Sequence, residues 1–331
     1  MRPIHIGVIG CAQILERSLI DPMAQCEGYQ IYGIASRSLS KAEQYAKNYG
    51  IPVAFNSYEA LLHSSEIDMV YIVLSNDLHK EWAVQAVQAN KHVLVEKPLC
   101  LSSTEFSEIE QANKKGKVHI LEGLMVQHHP WQDKVKSIVD EKPYGRLHHI
   151  DSSICIVPKY DLTQNYRSVP DKGGGSFHDL GCYWLQFLQK IVGLEPVEYR
   201  ASSAFDGPNG CDMTFEARLQ YADGLYAALV TSFEQPYKSA HTLYFEQATV
   251  TINDFFRASL GRYKISVKID LHTHAGSEKI YFEPQNYYTN QLSFFHDVIT
   301  GKKQNLPLAD SLERITWTEA IYQFAKERRN P

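Results

Sequence analysis

Three titratable side chains stand where a ligand could meet them. Lys97 lies in Glu96-Lys97-Pro98, directly after the apolar run 92–95. A lysine at the end of a buried parallel strand projects from the carboxyl edge of the sheet, where such folds bind ligands. Asp179 and Tyr183 are four residues apart, so a helix would set a carboxyl and a phenol on one face. Gly173-Gly174-Gly175 precedes that face and leaves room for a substrate to approach the backbone. This run is not a P-loop, because it lacks Gly-Lys-Ser/Thr and a preceding strand. Each residue alone also has a plainer reading: Lys97 as surface, Asp179 as a helix-start residue, Tyr183 as a core aromatic.

A second group suits phosphate. Gly7-Val8-Ile9-Gly10-Cys11-Ala12 sits where a first strand should turn into a helix. Glycine there lets backbone N–H groups approach a pyrophosphate at the helix start. The match to G-x-G-x-x-G is partial, with Ala12 and Leu15 at the second and third glycine positions. The end of the second strand reads Ala35-Ser36-Arg37-Ser38, without the acidic residue that bonds the ribose hydroxyls in NAD-specific sites. A 2′-phosphate is not repelled there, and Arg37 can pair with it. NADP(H) is therefore expected over NAD(H), although Arg37 could also be a solvated strand-end residue.

The elements that must hold these residues follow from the apolar pattern. Runs at 4–9, 29–35, 53–55, 69–73, 92–95 and 118–121 alternate with helical stretches at 12–23, 39–49, 58–62, 78–89 and 104–115. Continuous apolar strands separated by helices predict a doubly wound parallel sheet. Beyond it the rhythm changes. A strand at 147–157 precedes a Pro-, Asp- and Gly-rich loop and a helix at 176–191. Runs at 198–204, 213–219, 225–233, 242–245 and 249–252 follow, with Asp223-Gly224 as a hairpin signal. Strands in succession predict an antiparallel sheet. Helical stretches at 287–300 and 308–326 close the chain. The expected organisation is an α/β protein, with a nucleotide-binding domain over 1–123 and an α/β domain with a large, open, mostly antiparallel sheet over 124–331.

Composition removes several classes. The chain has 331 residues, 33 Lys+Arg and 38 Asp+Glu, for a net charge of −5. A mildly acidic chain without a basic block argues against nucleic acid or an anionic membrane as partner. No apolar run approaches the ~18 residues that span a bilayer. The six cysteines form no CxxC pair, which fits reduced thiols in a cytoplasm. The histidine pairs 128–129, 148–149 and 272/274 come with no HExxH and no cysteine cluster, so no metal is expected.

Gly7-x-x-Gly10-x-Ala12, Glu96-Lys97-Pro98, Glu122-Gly123-Leu124-Met125 with His129-Pro130, and Asp179 with Tyr183 after the glycine run together resemble the glucose–fructose oxidoreductase/inositol dehydrogenase (Gfo/Idh/MocA) family over essentially the whole chain. Tyr183, where inositol-dehydrogenase-like members carry His, points to the branch with dihydrodiol dehydrogenase. Gly10-Cys11-Ala12-Gln13-Ile14, His128-His129-Pro130 and Ile156-Val157-Pro158-Lys159 look most like nucleotide-sugar 3-ketoreductases.

The resemblance implies a Rossmann domain and a second domain whose sheet floors the substrate site and often forms a subunit interface, hence a homodimer or homotetramer. It implies cofactor contacts from Gly7, Gly10, Cys11, Ala12, Gln13, Ile14, Ser36, Arg37, Ser75, Asn76, His79, Glu96 and Lys97. Tyr183 would be the general acid in ketone reduction, its proton loss eased by the Lys97 ammonium. Lys97 would also bond the substrate oxygen and the nicotinamide ribose, across a Lys97–Pro98 bond expected to be cis. Asp179 would orient substrate hydroxyls or Lys97.

His129, Lys159, Tyr166, Arg167 and His178 are the expected substrate contacts, His178 having a buried helix histidine as its alternative. His178, Trp184, Gln127 and His128 depart from the residues usual in the family and put the substrate in doubt. The expected reaction is reduction of a ketone, or reversibly oxidation of an alcohol, on a small-molecule sugar or sugar-like substrate, with a nucleotide-linked 3-ketosugar as the finer reading. A free sugar, a trans-diol, an imine, or a non-catalytic NADP-binding sensor are the alternatives.

Overall fold

The computed structural model describes residues 2–273 and 276–328. His274, half of the 272/274 pair, lies outside them. In chain order the elements are β1 (Ile4–Ile9), a π-helical turn (Glu16–Ile20), α1 (Asp21–Met23), β2 (Tyr29–Ala35), α2 (Leu39–Tyr49), β3 (Val53–Phe55), α3 (Tyr58–His63) and β4 (Met69–Ile72). Then come α4 (His79–Gln88), β5 (His92–Glu96), α5 (Ser103–Ala112), β6 (Ile120–Gly123), α6 (Trp131–Glu141), β7 (Leu147–Cys155) and α7 (Ser176–Ile191). Strands β8 (Glu198–Ser202), β9 (Thr214–Gln220), β10 (Tyr226–Ser232), β11 (Lys238–Phe245), β12 (Ala248–Asn253), β13 (Ile265–Leu271) and β14 (Ser277–Phe282) precede α8 (Tyr287–Ile299) and α9 (Leu308–Glu327).

Two units result. The first comprises Met1–Met125 and Tyr287–Ile315, the second Val126–Asn286 and Thr316–Pro331. A single division after residue 123 therefore misplaces α8 and the start of α9. The reason is burial: Leu292, Phe295 and Val298 of α8 complete the apolar layer formed by Ile6, Val8, Leu15, Leu19, Ile34 and Tyr71. That layer covers one face of the first sheet. Leu61, Trp82, Ala86, Phe106, Ile109 and Ile315 cover the other against Ile9, Val70, Ile72 and Val95.

The first sheet is all parallel among its described pairings, in the order β3-β2-β1-β4-β5-β6. The chain reverses its direction of winding between β1 and β4, which opens a crevice at their carboxyl ends. The helix expected over 12–23 is different. Residues 13–14 form a turn, and Glu16–Ile20 is a π-turn in which the Asp21 N–H bonds the Glu16 carbonyl. Pro22 has no N–H to give to residue 18, so the tighter ladder cannot continue through it.

The second sheet runs β14-β13-β12-β11-β7-β10-β9-β8, antiparallel except where β10 pairs with β7. Phe215, Ala217, Leu219, Ala227 and Leu229 point to its buried face, on which α7 packs. The opposite face carries Glu216, Arg218, Tyr226, Ala228 and Val230 and is at least partly exposed.

Candidate active site

In the first unit, the carboxyl edge of the sheet collects the strand-end residues. Gly7 lies within β1, paired with Gly33 and Val70, rather than at the edge. Gly10 follows β1 at φ +112°, and a Cβ at this position would lie 2.7 Å from the Val73 carbonyl oxygen, so a side chain is excluded on both conformational and steric grounds. Cys11 is buried; Ala12 and Ile14 are half-buried and Gln13 is exposed. Ser36 is buried, Arg37 is exposed, and the Ser38 hydroxyl caps α2 by accepting the Lys41 N–H. After β4, Ser75 is half-buried and Asn76 buried.

Lys97 follows β5 and is 9 % exposed, and the Lys97–Pro98 bond is cis. Glu96 is buried and accepts a hydrogen bond from the Tyr71 hydroxyl. Burial raises the Glu96 carboxyl above its usual range, against the pull of Tyr71, Lys97 and Arg17. Tyr288 of α8 belongs to the same cluster. Burial pushes its phenol up to about 12, while the Arg17 guanidinium, hydrogen-bonded to it, opposes the shift. Sequence reasoning missed Arg17, Tyr71 and Tyr288, because nothing in their local pattern ties three distant segments to one strand end.

His79 opens α4 with none of its surface exposed. Its Nδ1 lies 2.7 Å from the Pro98 carbonyl oxygen and its Nε2 3.1 Å from that of Leu74.

In the second unit, α7 holds Asp179 and Tyr183 one turn apart, as their spacing predicts. The hydrophobic faces of the helix bury Phe177, Leu180, Trp184 and Phe187, and Tyr183 packs edge-on against Phe256 at 4.6 Å. Arg167 reaches back from the loop before the glycine run, its Nε 3.1 Å from Asp179 Oδ2. Its guanidinium also lies over the Tyr166 ring, 4.7 Å from the centroid. Arg167 and Asp179, expected in different roles, are thus an ion pair with both side chains largely shielded.

The glycine run has a structural role besides any room it leaves for substrate. Gly174 approaches the Val169 and Arg167 carbonyls, and a Cβ on Gly175, at φ +103°, would overlap the Asp212 carboxylate. Asp212 arrives from the segment before β9 and caps α7. Its Oδ2 accepts the Ser176 hydroxyl at 2.9 Å and the Phe177 N–H at 2.8 Å, and its own carbonyl accepts the Ser176 N–H. Burial raises its carboxyl to about 6, against these donors. Asp212 was not legible, since the cap lies 35 residues from the N–H it accepts.

Of the other expected substrate contacts, Lys159 is exposed and Tyr166 half-buried. His129 is buried, its Nδ1 3.2 Å from the Trp131 N–H and its ring edge-on to Phe282. His178 packs edge-on to Tyr322 of α9 at 4.3 Å, and burial lowers its imidazole to about 4.

Residues 4–124 match the family described as oxidoreductase, NAD-binding Rossmann fold, and 133–251 match the GFO/IDH/MocA C-terminal domain. The chain belongs to the Gfo/Idh/MocA family of oxidoreductases. Among its relatives is an uncharacterised oxidoreductase of Rhizobium meliloti, 34% identical over 69% of this chain and 68% of that one. The NADP-dependent D-xylose 1-dehydrogenase 2 of Haloferax volcanii is 29% identical over 97% of both chains. The solved structure of KijD10, a 3-ketoreductase from Actinomadura kijaniata in complex with NADP and TDP-benzene, superposes with a TM-score of 0.88 at 26% identity, over 98% of each chain. No helix among the described residues is long and apolar enough to cross a membrane.

Proposed function

We propose that this enzyme reduces a ketone on a sugar-like substrate with NADPH, reversibly, and that a nucleotide-linked 3-ketosugar is the substrate class. The observation that carries the reading is α7: Asp179 and Tyr183 stand one turn apart on a helix whose first turn is locked by Asp212, and Asp179 is already paired with Arg167. The likeness to a 3-ketoreductase over 98% of the chain supports it.

The residues of the first unit fit NADP(H). Gly10 makes the strand-to-helix turn at φ +112°, where a side chain would be excluded, and Ser36, Arg37 and Ser38 offer donors with no carboxylate among them. When bound, the cofactor supplies hydride chemistry. Gly10, Cys11, Ala12, Gln13 and Ile14 would hold its diphosphate, Ser36 and Arg37 its 2′-phosphate, and Ser75, Asn76 and Glu96 the remainder.

Tyr183 Oη gives its proton to the substrate carbonyl oxygen as negative charge develops there, and Lys97 Nζ donates a hydrogen bond to that oxygen. Asp179 and Arg167 orient substrate hydroxyls, with Tyr166, Lys159, His129 and His178 as further substrate contacts. We further propose a homodimer or homotetramer and a cytoplasmic location, the latter consistent with six cysteines that form no CxxC pair.

Full-length similarity to a D-xylose dehydrogenase favours a second reading, oxidation of a free sugar. Initial rates of NADPH consumption with nucleotide-linked 3-ketosugars, and of NADP+ reduction with aldoses and diols, separate the two. Faster turnover of the nucleotide-linked ketone is expected, and activity confined to free aldoses replaces it with the second reading.

A further inference from the structure

Lys97 sits in a turn whose neighbours are held by their backbones. Pro98 has no N–H, so its carbonyl is its one main-chain hydrogen-bonding group. That carbonyl faces His79 Nδ1 at 2.7 Å. One residue later, the Leu99 N–H bonds Glu122 Oε1 at 3.2 Å, while Glu122 Oε2 accepts the Ser311 hydroxyl at 2.8 Å and Arg314 Nη2 at 2.6 Å. The turn is pinned on one side by a helix-start histidine and on the other by a strand-end carboxylate that is itself held by α9. His79 and Glu122 are both buried.

The two carbonyls at His79 are both acceptors, so a neutral imidazole can satisfy only one of them with its single N–H. Burial disfavours a second proton, the two carbonyl contacts favour it, and the Lys97 ammonium opposes it while Asp77 favours it. The net shift is downward, so the ring keeps one proton near neutral pH. The shorter contact, to Pro98, favours the tautomer with that proton on Nδ1. Leucine at this position would leave the carbonyl of half-buried Pro98 without its donor, a loss felt at the turn.

We propose that His79 and Glu122 are positioning residues for Lys97, clamping the Pro98 carbonyl and the Leu99 N–H so that the ammonium is presented in one direction. The proposal extends the reading of Lys97 as the group that meets the substrate oxygen. It also gives His79 a role in the site that needs no contact with the cofactor.

Asparagine and glutamine separate the two ends of the clamp. Asparagine carries its N–H2 where Nδ1 lies, toward Pro98; glutamine carries it one bond further, near Nε2 and toward Leu74. On the full-length enzyme, H79N should retain most of the turnover, while H79Q and H79L lose up to about 10²-fold in kcat, the scale of a misplacement near 1 Å. KM should stay close to that of the unaltered enzyme. Lys97 is followed separately by its rate of reductive methylation, read by peptide mass spectrometry. In H79L and E122Q that rate should change about 10-fold while the other lysines keep theirs, on the scale seen when supporting groups around a functional residue are lost.

Equal turnover in H79N and H79Q overturns the proposal. So does a Lys97 methylation rate that is the same in all variants. Should H79L not fold, the Asn/Gln pair carries the comparison. The methylation readout does not depend on the substrate: an enzyme that reduces no ketosugar refutes the proposed function and leaves the clamp tested by Lys97 reactivity alone.

Discussion

The turn at Lys97 and the first turn of α7 solve one problem in different ways. At Lys97 the neighbouring backbone is held, with His79 on the Pro98 carbonyl and Glu122 on the Leu99 N–H. On α7 the helix end is capped by Asp212, and one candidate site residue, Asp179, is itself paired with Arg167. Backbone pinning fixes the direction of the side chain through its neighbours, without a hydrogen bond from His79 or Glu122 to the ammonium itself. Pairing Asp179 with Arg167 holds both in place but uses part of their hydrogen-bonding capacity before substrate arrives. The first arrangement suits a group that must present a charge, and the second suits groups that can re-pair with hydroxyls.

The comparison breaks most visibly at Asp212. Its folded carboxyl titrates near 6, above the ordinary value of 3.8, because burial penalises the charge. Between those values the folded protein binds more protons than the unfolded one, so stability falls as pH rises through that window. The loss amounts to about 2–3 kcal/mol once the group is fully ionised. Urea unfolding from pH 4 to pH 7 should show this decline in the unaltered protein and not in D212N. Parallel profiles for the two would mean that the cap is not a buried charge.

A smaller effect sharpens the contrast on the cofactor side. Arg37 is exposed, so the pairing with a 2′-phosphate proposed for it would be weakened by solvent. Arg37→Ala should cut the preference for NADPH over NADH by about tenfold, the scale of one charge-assisted hydrogen bond. The ratio of kcat/KM for the two cofactors measures it, and an unchanged ratio removes Arg37 from cofactor selection.

Sequence legibility divides along the same line. The parallel sheet was readable because each strand is a continuous apolar run bounded by helical spacing, and residues such as Gly10, Arg37 and Lys97 announce themselves at strand ends. Helix α7 was readable from 176 to 191 because its apolar positions recur on more than one face. What escaped around the candidate site was non-local. Asp212, Tyr71, Tyr288 and Glu122 act on segments far away in sequence, and a sequence shows partners only when they are close. Two local patterns were present and went unread: Trp131, Val135 and Ile138 at helical spacing in α6, and Ile265, Val267, Ile269 and Leu271 alternating in β13. Strand β14 gave no such signal, being a mostly exposed edge. The π-turn at Glu16–Ile20 looked like part of a plain amphipathic helix because Ile14, Leu15, Leu19 and Ile20 fit a helical period, and the missing N–H of Pro22 near the end of the stretch went unread.

The proposed chemistry stands or falls on Tyr183. Single-turnover oxidation of NADPH by Tyr183→Phe, with the reducible ketone saturating, measures the proton-donating step directly. The rate should fall by about 10²–10⁴-fold, the range for losing a general acid, while NADPH binding followed by fluorescence stays near that of the unaltered enzyme. A Tyr183→Phe enzyme that oxidises NADPH at the original rate would contradict the account.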